Sequence, residues 1–353
     1  MGGRHEPAVG GMHDADVEGL RGRVSRGASF VELPGGGGSS RPSLPRHGRR
    51  PHSPPGRAGT GSVVTTPQTA VVVDSGACLP PSLGESPWVN VVPMSIEIDG
   101  RTLRDGLDIS SRELYARLVG PGPLPTSSSP SPGDYLKAFL ATSIPEIVCL
   151  TIPERYSTMG RSARVAAEML RSEAPEKRVE IIDTGTAAGG YTLVAEAAAA
   201  ACAAGLDRDK VAAYTREVAG SARVIATLAT MRYLIRSGRV PALAGLGGDL
   251  LHVRPLFAFT AGDVRRLALV RGTKRALRAV AEQLREQIPA ETKVRLAVFC
   301  GDAPDTVPEL INQLRQLFGD QPVERLNLTP VIALHTGPGL IGAAAVADLP
   351  LVE

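Results

Sequence analysis

Aromatic side chains are scarce in this 353-residue chain: Phe, Trp and Tyr together make up 4% of it. That excludes a wall of stacking rings of the kind single-stranded nucleic acid needs. Cysteine is scarcer still. The four thiols, Cys78, Cys149, Cys202 and Cys300, are widely separated and form no CxxC pair. They read as buried reduced thiols rather than zinc ligands or a redox couple. The longest apolar stretch, near Thr192–Ala204, is alanine-rich and carries Glu196, too short to span a bilayer. Several signatures are missing outright. There is no GxxxxGK(S/T) phosphate loop, no GxGxxG after the first strand and no GxSxG elbow; "GLGGD" at 245–249 fits none of them. No cluster of His, Cys, Asp and Glu has metal-ligand spacing, so neither metal nor cofactor is expected.

A strong charge of either sign is missing from the body of the chain. Residues 1–66 hold nine Arg against five Asp and Glu, and the remainder holds 30 basic and 31 acidic residues. The basic balance belongs to the leader, and the body carries no electrostatic footprint for nucleic acid.

What is present divides into three. Residues 1–66 are rich in Gly, Pro, Arg and Ser and cannot bury enough apolar surface to offset backbone ordering, so a disordered leader is expected. A start site assigned too far upstream is the alternative. With no apolar h-region the leader does not read as a secretory signal, and a cytoplasmic protein is expected. From Thr69 strands and helices alternate. "AVVVD", "EIVCLTI" and "VEIID" read as buried strands, with helices beginning at Ser131-Pro132, near Ser157, and at Ala187 and Asp207. Beyond about Ala222 two strands flank Ala261-Gly262-Asp263. Helices over Thr273–Ile288 and Thr306–Phe318 then alternate with the strands "VRLAVFC", "VERLNL", "PVIALH" and "IGAAAV". The pattern predicts an α/β fold: a mostly parallel sheet with flanking helices over 67–228, then an α/β domain with antiparallel strands over 229–353.

Ligands of such sheets sit beyond the carboxyl ends of strands. The features expected there are Asp74-Ser75-Gly76, the hydroxyls of Thr126, Ser127, Ser128 and Ser129, the helix start at Ser157-Thr158, and His335-Thr336-Gly337, with Arg239 after a helix stop. Each has a plain reading as a turn, a solvated loop, a cap, a structural histidine or a surface charge. Together the hydroxyls, the helix N-terminus and an uncovered Gly-Pro-Gly backbone are donors suited to a small anion such as carboxylate or phosphate. Only His252 and His335 lie outside the leader. Neither has an acid that orients it, so binding is favoured over catalysis.

The ordered series "VVVDSGACLP", "VVPMSIEIDGRTLRDGLDIS", "PTSSSPSPGDYL", "VEIIDTGTAAGGY", "SGRVPALAGLGGDLLHVRPLF" and "VIALHTGPGLIGAAA" resembles the DegV family of bacterial fatty-acid-binding proteins. The resemblance implies a two-domain α/β protein that holds one long-chain fatty acid between its domains. Such a protein is not itself catalytic and presents the carboxylate to a separate fatty acid kinase, which makes acyl phosphate for phospholipid synthesis. Separately, the charge balance of the body predicts no nucleic-acid partner, and the short apolar stretch no stable membrane insertion. Ser127 stands where the family has a carboxylate-binding threonine, with Thr126 beside it. Ser157 stands where a Ser-Gly-Thr stretch opens a helix, although Ser157-Thr158-Met159 departs from that pattern. Arg239 and His335 match the family's Gly-Gly-Arg arginine and the histidine before Thr-Gly-Pro-Gly. The competing readings are an enzyme on a small acid or phosphate ester, using Ser157 or Ser127 with His335, and a regulatory sensor whose leader binds a partner or nucleic acid.

Overall fold

The structure, a computed structural model, describes residues 66–239 and 253–351. The expected leader, the 245–249 glycine motif and His252 lie outside the described residues.

The Val-rich run after Thr66 forms β1 (Thr69–Asp74), buried at every position, as a strand covered on both faces must be. After α1 (Pro81–Gly84) come β2 (Val89–Val92), β3 (Ser95–Ile98) and β4 (Arg101–Arg104), the last two joined through Asp99-Gly100, both with positive φ, a hairpin geometry that favours these residues. Helix α2 (Ser111–Val119) opens on a capping box between Ser110 and Glu113. Strand β5 (Thr126–Ser128), α3 (Pro132–Ala141), β6 (Glu146–Thr151), α4 (Met159–Glu173) and β7 (Arg178–Asp183) follow. Next are α5 (Gly189–Ala203), α6 (Arg208–Ser221), β8 (Arg223–Thr227) and α7 (Arg232–Arg236). The remainder comprises β9 (Val253–Thr260), β10 (Asp263–Arg271), α8 (Thr273–Glu286), β11 (Val294–Cys300), α9 (Val307–Phe318), β12 (Val323–Asn327), α10 (Pro330–Thr336) and β13 (Ile341–Ala347).

Three sheets organise these elements. Strands β2-β1-β6-β7 form an all-parallel sheet, and β10-β9-β8-β13-β11-β12 a mixed sheet in which only β11 and β12 run parallel. A small antiparallel sheet, β4-β3-β5, stands apart from both. The α/β architecture expected from the strand–helix alternation is the one observed. Strand β8, ending at Thr227, already pairs with β13 and β9, so the mixed sheet begins before residue 228.

Helix α5 explains the longest apolar stretch. It packs on β1 on one side and on β11 and β13 on the other, and twelve of its fifteen residues are buried. A helix apolar all round belongs inside a core. Small residues permit the close approach: a Cβ on Gly189 would lie 2.6 Å from the Phe299 ring.

One expected strand is a helix. "PVIALH" forms α10, because Pro330 sits at its first turn and the Val331 amide donates to the buried carboxylate of Asp105 at 2.8 Å. A short apolar run with β-branched residues does not by itself separate strand from helix; here the proline and the buried acid decide. His335 therefore lies in the last turn of a helix. The helix stops at Gly337 (φ +70°), whose amide returns to Ala333 O at 2.7 Å.

Candidate functional site

Helix α10 packs against β5, α2 and α7, and this placement assembles most of the residues expected from the sequence. The serines expected in a loop lie along strand β5 and its end. Successive side chains of a strand alternate between faces, so Ser127 and Ser129 share one face and Thr126 and Ser128 the other. Thr126 and Ser128 are exposed. Ser127 Oγ lies 2.9 Å from His335 Nε2, and Ser129 Oγ lies 3.0 Å from Ser157 Oγ. Sequence reasoning singled out Ser127 but missed Ser129 as a partner of Ser157, since the i, i+2 relation has meaning only in a strand.

Ser157 precedes α4 and accepts the Met159 amide on its Oγ at 3.3 Å. It does the work of a cap from one position before the assigned cap residue, Thr158, whose own side chain makes no capping bond. Arg239 follows the turn at Gly238 (φ +65°) after α7, and its Nη1 lies 3.3 Å from His335 Nδ1.

The histidine's protonation state follows. Burial, with the Arg239 charge adding to it, pushes the His335 pKa down to about 3, so the ring is neutral at pH 7. A guanidinium can only donate. Nδ1 is therefore the acceptor and Nε2 carries the proton, which it donates to Ser127 Oγ. The Ser127 hydroxyl is left free to donate its own proton to a third group. Arg239, His335 and Ser127 form a relay of donors ending on a serine hydroxyl, an arrangement for receiving an anion. The same tautomer removes His335 as a base toward Ser127, because its ring nitrogen facing the serine already holds a proton.

Two cavities meet at this point. The larger, about 200 Å3, is walled mostly by apolar side chains. These come from the parallel-sheet side (Ile152, Tyr156, Met159) and from the mixed-sheet side (Val224, Phe257, Phe299), among others. Ser157, Ser237, Arg239 and His335 supply polar groups to its lining. A smaller one, about 140 Å3, is lined by Thr126, Ser127, Arg236, Ser237, Arg239 and His335 together with apolar residues. Ser237, Arg239 and His335 are common to both. Of the residues expected at the site, Ser157 lines the larger cavity, Thr126 and Ser127 the smaller, and Arg239 and His335 both.

Asp74 also borders the larger cavity and is fully buried. Its Oδ1 accepts the Gly76 amide at 2.8 Å, and its Oδ2 lies 3.0 Å from the Tyr191 hydroxyl, which lies 2.7 Å from Leu150 O. Burial pushes the Asp74 pKa up to about 7, against the lowering effect of the Tyr191 and Gly76 bonds. One tyrosine proton cannot serve two acceptors; a protonated Asp74 donates to Tyr191, which then donates to Leu150.

The Gly-Pro-Gly stretch is not the open donor surface its composition suggests. Gly337 N is spent on Ala333 O, and Gly339 N donates to Asp302 Oδ1 at 2.6 Å. The glycines serve packing: a Cβ on Gly337 would fall 2.0 Å from the Tyr233 ring, and one on Gly339 2.4 Å from Ala229 Cβ.

Among the described residues no group of His, Cys, Asp and Glu could hold a metal ion, and no helix is long and apolar enough to cross a membrane.

Comparison with known proteins identifies the family and the fold. The family model described as "Uncharacterised protein, DegV family" matches residues 68–348. A DegV domain-containing protein of Streptomyces coelicolor is 32% identical over 277 residues, covering 77% of this chain and 96% of the relative. Among solved structures, a DegV family protein from Thermus thermophilus, described by its fatty acid binding, superposes with a TM-score of 0.72 at 25% identity, covering 79% of this chain and 99% of that one. A DegV lipid-binding protein from Thermotoga maritima gives 0.71 at 26% identity, covering 80% and 99%.

Proposed function

The chain belongs to the DegV family, and we propose that it holds one long-chain fatty acid in the apolar cavity and presents the carboxylate to a separate kinase. The observation that carries this reading is the larger cavity itself, mostly apolar along its walls and furnished with Ser157, Arg239 and His335. The fatty acid binding of the Thermus thermophilus relative and the lipid binding of the Thermotoga maritima relative support the same ligand class.

The energetics suit such a ligand. Each methylene taken out of water contributes roughly 0.8 kcal/mol, so ten of them supply about 8 kcal/mol. A buried carboxylate costs several kcal/mol unless donors meet it. Ser157 and the free Ser127 hydroxyl would meet it, and the nearby Arg239 guanidinium would offset its charge. The carboxylate then sits where the two cavities join. From there one of its oxygens can form the bond to the γ-phosphorus of a kinase-bound nucleoside triphosphate as the diphosphate leaves. The neutral, Nε2-protonated His335 makes the chain a carrier in this reading, with the chemistry on the partner and the encounter in the cytoplasm.

The test is lipid extraction and mass spectrometry of the natively purified protein. Stoichiometric long-chain fatty acid is expected. Protein that purifies empty and fails to take up added palmitate would overturn the reading.

A further inference from the structure

His335 lies one helical turn beyond Val331 on α10, and the group that holds Val331 comes from outside the helix. Resting on the fatty-acid reading above, we infer that Asp105 is a positioning residue for the ligand site: it caps α10 from the loop after β4 and so sets where His335 meets Ser127.

Helix α10 does not fix its own start. First-turn amides have no partner within a helix, and Pro330 has no amide hydrogen to offer. Thr329, the cap residue, has the extended backbone a cap requires (φ −74°, ψ 159°) yet makes no side-chain capping bond. Its Oγ1 faces Cys78 Sγ instead, 3.7 Å away. Asp105 Oδ1 accepts the Val331 amide at 2.8 Å in its place. The helix has only seven residues, so a displacement at Val331 reaches His335 directly. The two share one face and stand about 6 Å apart along the axis.

Asp105 is itself fixed to the sheet that carries Ser127. Its amide donates at 2.8 Å to the carbonyl of Met94, the residue before β3, and β3 pairs with β5 in a register that sets Ile96 opposite Ser127. Arg104 and Asp108 close the loop around Asp105 through an ion pair at 2.8 Å and the Arg104 amide at 2.8 Å. A second tie runs beside the first: Ser111 Oγ donates to Leu328 O at 2.6 Å, just ahead of α10. The result is a closed circuit, from Ser127 through β3 to Asp105, across to Val331, and along α10 back to His335. One small sheet thereby holds both halves of the 2.9 Å contact between Ser127 and His335. Asp105 is buried, and it is not among the described residues that line either cavity. It acts through the helix rather than on the ligand.

The experiment uses full-length, delipidated protein as wild type, Asp105→Asn, which keeps the Oδ1 acceptor, and Asp105→Ala, which removes it. Each is measured well below its own melting temperature, so that a loss of global stability alone moves neither readout. Long-range 1H–15N spectra report the His335 ring, and titration calorimetry reports palmitate binding. Asp105→Asn should keep His335 protonated on Nε2 and bind palmitate within about twofold of wild type, because the cap survives. Asp105→Ala should weaken palmitate about tenfold or more, since the site is no longer preorganised. Its His335 should titrate between about pH 5 and 8, as a solvated ring does. A folded Asp105→Ala with wild-type His335 spectra and affinity would overturn the role, and so would equal damage in Asp105→Asn. Should Asp105→Ala fail to fold, the double variant Asp105→Ala with Thr329→Asn returns a cap from the cap residue itself. Wild-type His335 spectra in that variant would support the inference; a titrating His335, or a double variant that also fails to fold, would overturn it. Wild type that takes up no palmitate would overturn the fatty-acid reading and the role in binding with it, while the Asp105→Ala spectra would still decide whether Asp105 sets the ring.

Discussion

Ser127 Oγ and His335 Nε2 lie 2.9 Å apart although 208 residues separate them in the chain. The pair is the point at which strand β5 meets the end of helix α10, and the direction of its hydrogen bond is fixed from behind by Arg239. With the ring proton on Nε2, Ser127 has one proton to give and nothing else in the relay to take it. Replacing Ser127 by alanine removes a donor to a charged group, worth about 1.5–3 kcal/mol. Palmitate affinity should fall about ten- to a hundredfold, read by calorimetry on delipidated protein, and stability should fall by about 1–3 kcal/mol because the part-buried His335 Nε2–H loses its acceptor. Unchanged affinity would separate Ser127 from the ligand.

The tautomer is itself measurable. Long-range 1H–15N spectra of the imidazoles should show His335 neutral, protonated on Nε2, and without titration between pH 5 and 8. The folded pKa is depressed to about 3 from an unfolded value of about 6.5. Between these limits only the unfolded chain takes up the proton, so this group withdraws stability as pH falls from about 6.5 toward 3. A His335 signal titrating near 6.5 would mean that the ring is solvated and the relay absent.

Asp74 and Tyr191 give the opposite pH dependence. Asp74 is held protonated up to about pH 7 in the folded state, against an unfolded value near 3.9. Its contribution is full below pH 4 and is lost as pH rises through 7. Asp74→Asn keeps a donor toward Tyr191 and an acceptor for the Gly76 amide while removing the titration. The ratio of wild-type to variant stability, followed by urea unfolding from pH 5 to 8.5, should decline with rising pH. A flat ratio would show that Asp74 is ionised throughout.

Much of this was legible from local signals. Val-rich β1, the Ser131-Pro132 start of α3 and the Asp99-Gly100 hairpin are each written in a few adjacent residues, and the structure has all three. Helix α2 was legible too, through Ser110 and Glu113, but this signal is short and easily passed over. The structure of "PVIALH" was not. Its helical state depends on Asp105, 226 residues away from the Val331 amide it accepts, and no periodicity within seven residues encodes that. The pairing of Ser129 with Ser157 was hidden for a related reason: alternation along β5 follows from its register with β3, which a three-residue strand does not announce. The glycines of 337–339 were legible as special, but what they approach, Tyr233 and Ala229, is set by tertiary packing.

That packing yields the sharpest stability test. Gly337 has φ +70° and would place a Cβ 2.0 Å from the Tyr233 ring, while Tyr233 is itself buried with its hydroxyl donating to Leu118 O at 3.2 Å. Gly337→Ala therefore meets two penalties: backbone strain of about 1 kcal/mol and overpacking of about 1–3 kcal/mol. Only the second depends on the ring. Tyr233→Ala alone leaves a void and costs several kcal/mol by the same reasoning as other large aromatic truncations. In the double variant the added methyl no longer meets the ring, so the combined loss should be smaller than the sum of the single losses by about 1–3 kcal/mol. Chemical denaturation of the four proteins measures this coupling directly. Additive losses would mean that Gly337 is required for its backbone angle alone and that Tyr233 does not hold the end of α10 where His335 sits.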